Sequence, residues 1–378
     1  MKIGILTLPL HTNYGGILQA YALQTILERM GHHVVVFNHK RKYRLPLWRL
    51  PLSYVKRFIG KYILSKKNVR IFAEQHQNKE YIIISQHIQR FIDTYIHSFY
   101  VESFKNLKSA DFDAIVVGSD QVWRPKYFTS LFKSDISNAY LSFAAHWQVK
   151  RLSYAASFGV DTWEYNKEQT EKCKYLINKF NAISVREDSA QILCAENYDV
   201  TVEHVLDPTM LLTKEDYESL LNKECEKELE GEIMTYILDD NTDKDSFVKK
   251  VETITGYKSF CAKAKSDNRD SINDLIQPPI EHWIQGFRDA KIIITDSFHA
   301  CVFSILFRKP FFVIMNDGRG KSRFQSLLRM FGLEDRIVSP NSIISQKNIE
   351  YPIPDSTYEI LDNMRKHSFD FLKIINNE

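Results

Sequence analysis

Residues 2–8 form a short apolar run that stops at Pro9, and a polar loop, His11-Thr12-Asn13-Tyr14-Gly15-Gly16, follows. Helical spacing then runs over residues 17–30, with Leu18, Tyr21, Ala22, Ile26 and Met30 on one stripe, and Gly31 closes it. Residues 33–38 carry a second apolar core, Val34-Val35-Val36-Phe37. Strand, loop, helix and strand in that order make a βαβ unit. Its two strands must be parallel, because the intervening helix carries the chain back to the starting edge of the sheet, by a right-handed crossover.

The alternation continues. Ala114-Ile115-Val116-Val117, Leu152-Ser153-Tyr154-Ala155, Ala182-Ile183-Ser184-Val185 and residues 201–206 read as further strands, each ended by a polar cluster. A segment dominated by Lys and Glu, residues 214–232, marks a boundary. Beyond it the pattern restarts: strands at 233–238, 259–261, 291–295 and 310–315 alternate with helices at 244–253, 280–287, 298–307 and 322–331. This predicts two Rossmann-like α/β domains with parallel sheets, facing a cleft. The first is 1–212, with an insertion at about 40–100; the second is 213–350; 351–378 is a helical tail expected to pack back on the first. Ligands of such folds sit outside the carboxyl ends of the strands.

Residues 1–9 are too short and interrupted for a signal peptide, and no run reaches the roughly 18–20 apolar residues of a membrane span. A cytoplasmic protein is expected. Five cysteines without a CxxC pair argue against a disulfide framework or a zinc ribbon. Net charge is only +3, but it is unevenly spread. Residues 29–73 hold no Asp or Glu, and residues 40–70 hold eleven Lys or Arg interleaved with Tyr43, Trp48, Tyr54, Phe58 and Tyr62. The rest of the chain has 39 basic against 47 acidic residues, a formal −8. No nucleic-acid module accompanies the basic segment, so nucleic acid is not the expected partner. Docking on the anionic inner face of a membrane is the alternative to a plain solvated excursion.

Five polar clusters carry candidate chemistry. Asn13-Tyr14-Gly15-Gly16 with Gln19 opens a helix and is neither a GxGxxG nor a P-loop signature; it reads as an acceptor contact or as a tight turn. Gly118-Ser119-Asp120-Gln121-Val122-Trp123 offers a carboxylate, an amide and an indole for a sugar, or an N-cap with a core tryptophan. Arg186, at the end of a strand, suits a carboxylate or phosphate, or else an ion pair with Glu187 or another neighbour. Asp296-Ser297-Phe298-His299 places a helix cap (Asp296 or Ser297) and an imidazole at a helix N-terminus fit for an anion. Gly318-Arg319-Gly320-Lys321-Ser322-Arg323 is a cationic loop.

These clusters resemble the polysaccharide pyruvyl transferase family. The motifs are Asn13-Tyr14-Gly15-Gly16-Ile17-Leu18-Gln19, Val117-Gly118-Ser119-Asp120-Gln121-Val122-Trp123, Ser153-Tyr154-Ala155-Ala156-Ser157-Phe158-Gly159, Ser184-Val185-Arg186-Glu187, Leu206-Asp207-Pro208-Thr209, Thr295-Asp296-Ser297-Phe298-His299 and Ser322-Arg323. The resemblance implies a GT-B-like fold, phosphoenolpyruvate as co-substrate, a lipid-linked or oligosaccharide acceptor, and a pyruvate ketal as product, with no metal and no other cofactor. The family's anion-binding Arg and His carry over onto Arg186 and His299; with them, donor binding is expected at Arg186, Ser297, His299 and Arg323, catalysis at His299 as acid and Asp120 as base, and acceptor binding at Asn13, Tyr14, Gly15, Gln19, Gln121 and Trp123. Ser297 stands where some relatives carry an Arg, and Arg323 is the candidate to supply that charge. Loss of Arg186 is expected to weaken donor binding and leave stability nearly intact. Two alternatives share the fold: a glycosyltransferase using a nucleotide sugar, and a non-catalytic glycan-binding protein.

Overall fold

The computed structural model describes residues 1–66, 69–221, 228–264, 271–315 and 321–377. Two wholly parallel sheets organise it. The first comprises β1 (Lys2–Leu6), β2 (His33–Asn38), β3 (Ser98–Tyr100), β4 (Ala114–Val117), β5 (Lys150–Ala156), β6 (Ala182–Val185) and β7 (Glu203–His204), in the order 3-2-1-4-5-6-7. The second comprises β8 (Ile233–Tyr236), β9 (Ser259–Cys261), β10 (Ile292–Thr295), β11 (Phe311–Ile314) and β12 (Ile337–Val338), in the order 12-11-10-8-9. Strands β4, β10 and β11 are buried on every residue, as strands covered by helices on both faces must be.

Both orders reverse direction once. In the first sheet the switch lies between β1 and β4, which pair directly although more than 100 residues separate them. In the second it lies between β8 and β10. At a switch point the flanking connections leave to opposite faces of the sheet, opening a crevice at the strand carboxyl ends.

The first helix spans Tyr14–Arg29, starting earlier than its apolar stripe predicts, so Asn13 is its N-cap and Gly15 and Gly16 lie in its first turn. Within the insertion the helices Ala73–Ile84 and Gln86–Tyr95 meet at Ser85, and β3 follows them as a short edge strand. β5 is bulged where it pairs with β6, and Ala155 there has φ +53°. One apolar cluster runs continuously between the two halves, from Ile5 and Leu18 to Trp283 and Phe303. The helix Asp355–Lys373 lies against the first sheet's side: Ser368 Oγ accepts from Leu206 N at 3.0 Å, Arg365 Nε donates to Met210 O at 2.7 Å, and Phe371 packs on Tyr154.

Candidate active site

The two switch points face each other. Gly15, in the first turn after β1, is pressed against the imidazole of His299, in the first turn after β10: a Cβ on Gly15 would lie 2.0 Å from His299 Nδ1. Glycine is required here by close approach rather than by backbone conformation. Tyr14 reinforces the junction, with its hydroxyl donating to Pro278 O at 2.6 Å and its ring against Tyr236 and Trp283.

Asp207 is the hub of this junction. Its Oδ2 accepts from Arg186 Nη1 at 2.7 Å and from Ser119 Oγ at 3.0 Å, and lies 3.7 Å from His299 Nε2. Its Oδ1 accepts from Thr209 N at 3.0 Å and Thr209 Oγ1 at 2.6 Å. Arg186 and His299 are thus brought together through a carboxylate that the sequence presented within the Leu206-Asp207-Pro208-Thr209 motif but without a role of its own. The available signal was its position, since Asp120 too stands just after a buried strand. Arg186, Asp207 and His299 are 4%, 2% and 6% exposed, so the cluster is closed to bulk water.

Arg323, from the helix Lys321–Met330, and Arg186 both lie over the ring of Phe298, at 5.7 and 4.5 Å. Arg323 is buried, and among the described residues it meets no carboxylate at ion-pair distance. Within this cluster four nitrogen atoms are buried without a hydrogen-bond partner among the described residues: Arg186 Nε and Nη2, Arg323 Nε and His299 Nε2. Asp120 borders the group, 4.0 Å from Arg186 and 3.5 Å from the Asn13 amide, with φ +70°. That conformation is one Asp tolerates better than most residues, at a cost of roughly 1–3 kcal/mol.

Burial sets the electrostatics. It pushes the His299 pKa down to about 4, with Asp207 opposing and Arg186 assisting, so the imidazole is neutral at pH 7. For Asp207 burial acts upward, but Arg186 and His299 outweigh it and hold the carboxyl at about 2. Burial lowers the Arg323 guanidinium to about 10, with Arg186 adding to the effect. Arg186 moves the other way: burial disfavours its charge, and Asp207, Glu187 and Asp120 more than restore it.

Several sequence expectations are corrected here. Trp123 is fully buried, stacked on Tyr140 at 5.1 Å, with Nε1 donating to Ala139 O; it is a core residue and offers no face to a sugar. Gln19 is spent bracing the loop, donating to Thr7 Oγ1 and Gly16 O. Gln121 packs against Gly159 and accepts from Arg124 Nη1 at 3.3 Å. Neither Asp296 nor Ser297 caps the helix Phe298–Leu306: Ser297 makes no cap bond. Asp296 turns back to bridge the second switch point, accepting from Leu238 N, Asp239 N and Lys244 Nζ. The helix amides are therefore left without a side-chain cap on the side facing the cluster. Arg186 pairs with Asp207, while Glu187 accepts from Ser157 Oγ and the amides of Phe158 and Gly159. A charge buried in this way supports stability, contrary to the expectation that Arg186 could be lost without structural cost. Of the cationic loop, residues 318–320 lie outside the described residues; Lys321 is exposed, while Ser322 and Arg323 are buried. Among the described residues no cluster of His, Cys, Asp and Glu is arranged to hold a metal.

Residues 13–318 match the family described as polysaccharide pyruvyl transferase. Among solved structures the chain is similar to a glycosyltransferase from Rickettsia africae, with TM-score 0.52 and 12% identity over 100% of this chain and 99% of that one. It is also similar to a UDP-GlcNAc 2-epimerase from Neisseria meningitidis, with TM-score 0.43 and 12% identity over 100% and 95%. At such identity the first likeness speaks for the fold alone, two Rossmann-like halves facing a cleft in the GT-B manner. No curated protein sequence matches the chain.

Proposed function

The chain belongs to the polysaccharide pyruvyl transferase family, and we propose that it moves pyruvate from phosphoenolpyruvate onto a sugar diol of a cell-surface polysaccharide precursor, as a ketal. The observation that carries this reading is Arg323, a buried cation that among the described residues meets no carboxylate at ion-pair distance, converging with Arg186 on the Phe298 ring beside uncapped helix amides. Buried charge without a partner is costly, and a small dianionic or trianionic donor would supply that partner. Phosphoenolpyruvate has two anionic groups, and two guanidiniums can take one each.

The chemistry asks for proton movement and dryness. A proton adds to C3 of the donor and leaves C2 an oxocarbenium-like centre. An acceptor hydroxyl adds to C2 and releases its proton; the C2–O bond to phosphate then breaks, and the second hydroxyl closes the ring with loss of its own proton. One hydroxyl proton replaces the one placed on C3, and the other leaves with phosphate, so donor and diol become ketal and phosphate. His299 is our acid and Asp120 our base, with Asn13 and Gly15 at the acceptor side. The free imidazole is neutral, so it becomes an acid only after the donor's negative charge raises its pKa. A closed site also keeps water from intercepting the oxocarbenium. A lipid-linked or oligosaccharide acceptor would be met on the cytoplasmic face of the membrane.

Phosphate release from phosphoenolpyruvate, measured against a panel of lipid-linked and nitrophenyl glycosides, tests the reading. The expected result is release that depends on an acceptor with a free diol. His299→Asn should lower turnover more than donor affinity and remove one limb of the pH–rate profile. Consumption of a nucleotide sugar, with no phosphate release from phosphoenolpyruvate across the panel, would instead establish the glycosyltransferase alternative.

A further inference from the structure

The helix Leu50–Tyr62 is amphipathic, but it is mounted with its apolar side outward. Leu52, Val55, Phe58, Ile59 and Tyr62 recur at helical spacing and form one arc, and all are exposed, Leu52 at 71%. Trp48, just before the helix, and Ile63, just after it, extend the arc at 68% each. The opposite side faces the protein and is built from small or polar groups. Gly60 is buried near Val69, Tyr54 meets Phe72 edge-on at 5.2 Å, and Arg57 forms a two-bond pair with Glu74 at 2.6 and 2.8 Å. A helix that served only the fold would be turned the other way. The bidentate pair to Glu74 fixes this orientation, so the outward apolar face is a property of the folded chain.

We infer that this face docks on an anionic lipid bilayer, with Trp48, Leu52, Phe58 and Tyr62 entering the interface and Lys56 and Lys61 meeting headgroups. The charge pattern selects this occupant. Lys56, Lys61 and Lys66 are exposed, and among the described residues Lys56 and Lys61 meet no carboxylate. Residues 29–73 contain no acid at all. A second copy brought to the same face would bring its own lysines against these, whereas an anionic leaflet neutralises them and accepts aromatic side chains at its surface. No helix among the described residues is long and apolar enough to cross a membrane, so the attachment is peripheral.

The position gives the docking a use. The strap of residues 40–44 leads from β2 toward this helix, and its Lys40, Arg41, Lys42 and Arg44 line a cleft of ≈ 1130 Å³ together with His11 and Tyr81. His11 lies in the loop that leads to Asn13, the N-cap of the helix whose first turn holds Gly15. The cleft thus connects the strap before the docking helix with the loop before Asn13.

Co-sedimentation with vesicles tests the docking without donor or acceptor, so its outcome is separate from that of the pyruvyl-transfer reading. The full chain should pellet with vesicles of phosphatidylcholine containing 30% phosphatidylserine at low salt. Binding should fall about 10- to 30-fold in Lys56→Gln/Lys61→Gln, the loss of two surface cations, and should fade at high salt as the Debye length shrinks from about 10 Å at 0.1 M to about 3 Å at 1 M. Trp48 emission should shift to the blue on anionic vesicles, and the shift should vanish in Trp48→Phe. Leu52→Ser/Phe58→Ser, both exposed positions, should lose binding with an unchanged urea midpoint. Equal pelleting with neutral and anionic vesicles, no pelleting with either, or a dimer in solution that Phe58→Ser dissociates would overturn the proposal.

Discussion

Arg186→Met removes the charge that neutralises Asp207 while keeping an unbranched side chain of similar reach. The two atoms are 2.7 Å apart and both residues are buried, which at an effective dielectric of 20 corresponds to a gross attraction of about 6 kcal/mol. Most of that offsets the cost of taking both ions out of water. Removing only one ion, however, leaves the other uncompensated, at about 3–5 kcal/mol. Asp207 would keep its bonds from Thr209 and Ser119, so the lower end, about 3 kcal/mol, is expected. Urea melts followed by tryptophan emission read this directly. For 378 residues the slope lies at or above the roughly 3 kcal/mol/M end of the small-protein range, so the midpoint should fall by up to about 1 M. Adding Asp207→Asn to Arg186→Met should recover most of the loss, because the second change removes the stranded charge and keeps the acceptor for Thr209 N. Phosphoenolpyruvate separates stability from binding: at 100 times its Kd it should stabilise the wild type by about 2.7 kcal/mol and the double variant by much less. A wild-type midpoint for Arg186→Met would refute the buried-pair account. Full donor stabilisation of the double variant would remove Arg186 from the donor site.

Two further outcomes follow from the same electrostatics. His299 has a folded pKa of about 4 against an ordinary 6.5, so the unfolded chain binds the extra proton between those values; stability should be lost as pH falls from 6.5 to 4, by on the order of 3 kcal/mol. The difference between wild-type and His299→Asn urea midpoints across that window isolates it from other histidines, and equal slopes would show that the imidazole is not held neutral. Donor binding at pH 7 should take up close to one proton, measured by titration calorimetry in buffers of different ionisation enthalpy, and uptake should vanish in His299→Asn; zero uptake in the wild type would deny His299 the acid role.

The alternation of apolar runs and polar clusters made the parallel sheets legible, because buried strands need continuous apolar sequence and period alone separates them from the intervening helices. β3 was not legible, and β7 was read too long: Ser98–Tyr100 and Glu203–His204, the latter inside the strand expected over residues 201–206, are short edge strands whose extent is decided by neighbours rather than by their own residues. In the site, Arg186, His299, Asp120 and Arg323 could be picked out by type and position. Asp207 could not be ranked above other strand-end carboxylates, since its partners lie 21, 88 and 92 residues away in sequence. Trp123 illustrates the converse. An indole in a polar motif invites a sugar-stacking role, yet the sequence cannot reveal that Tyr140, Phe158 and Ala139 enclose it.

The charges in the cluster explain why protonation and donor binding belong together. Arg186 and Arg323 face Asp120, Glu187 and Asp207, and with His299 neutral the cations are outnumbered. An anionic donor would at first sight be repelled. The carboxylates are not equally available to repel it, however. Glu187 is turned to Ser157, Phe158 and Gly159, and Asp207 is taken up by Arg186, Ser119 and Thr209. Asp120 accepts from Gln121 N and the Asn13 amide. What remains in front is Arg323, the free edge of Arg186 and the unprotonated Nε2 or N–H of His299. A proton on His299 restores the balance at the moment the donor enters, and the donor's own charge supplies the field that keeps it there. In the proposed pyruvyl transfer the same proton is the one needed at C3. On this reading, the depressed pKa of the free protein keeps the junction of the two halves from carrying an uncompensated cation, and it confines the acid to the complex in which it is used.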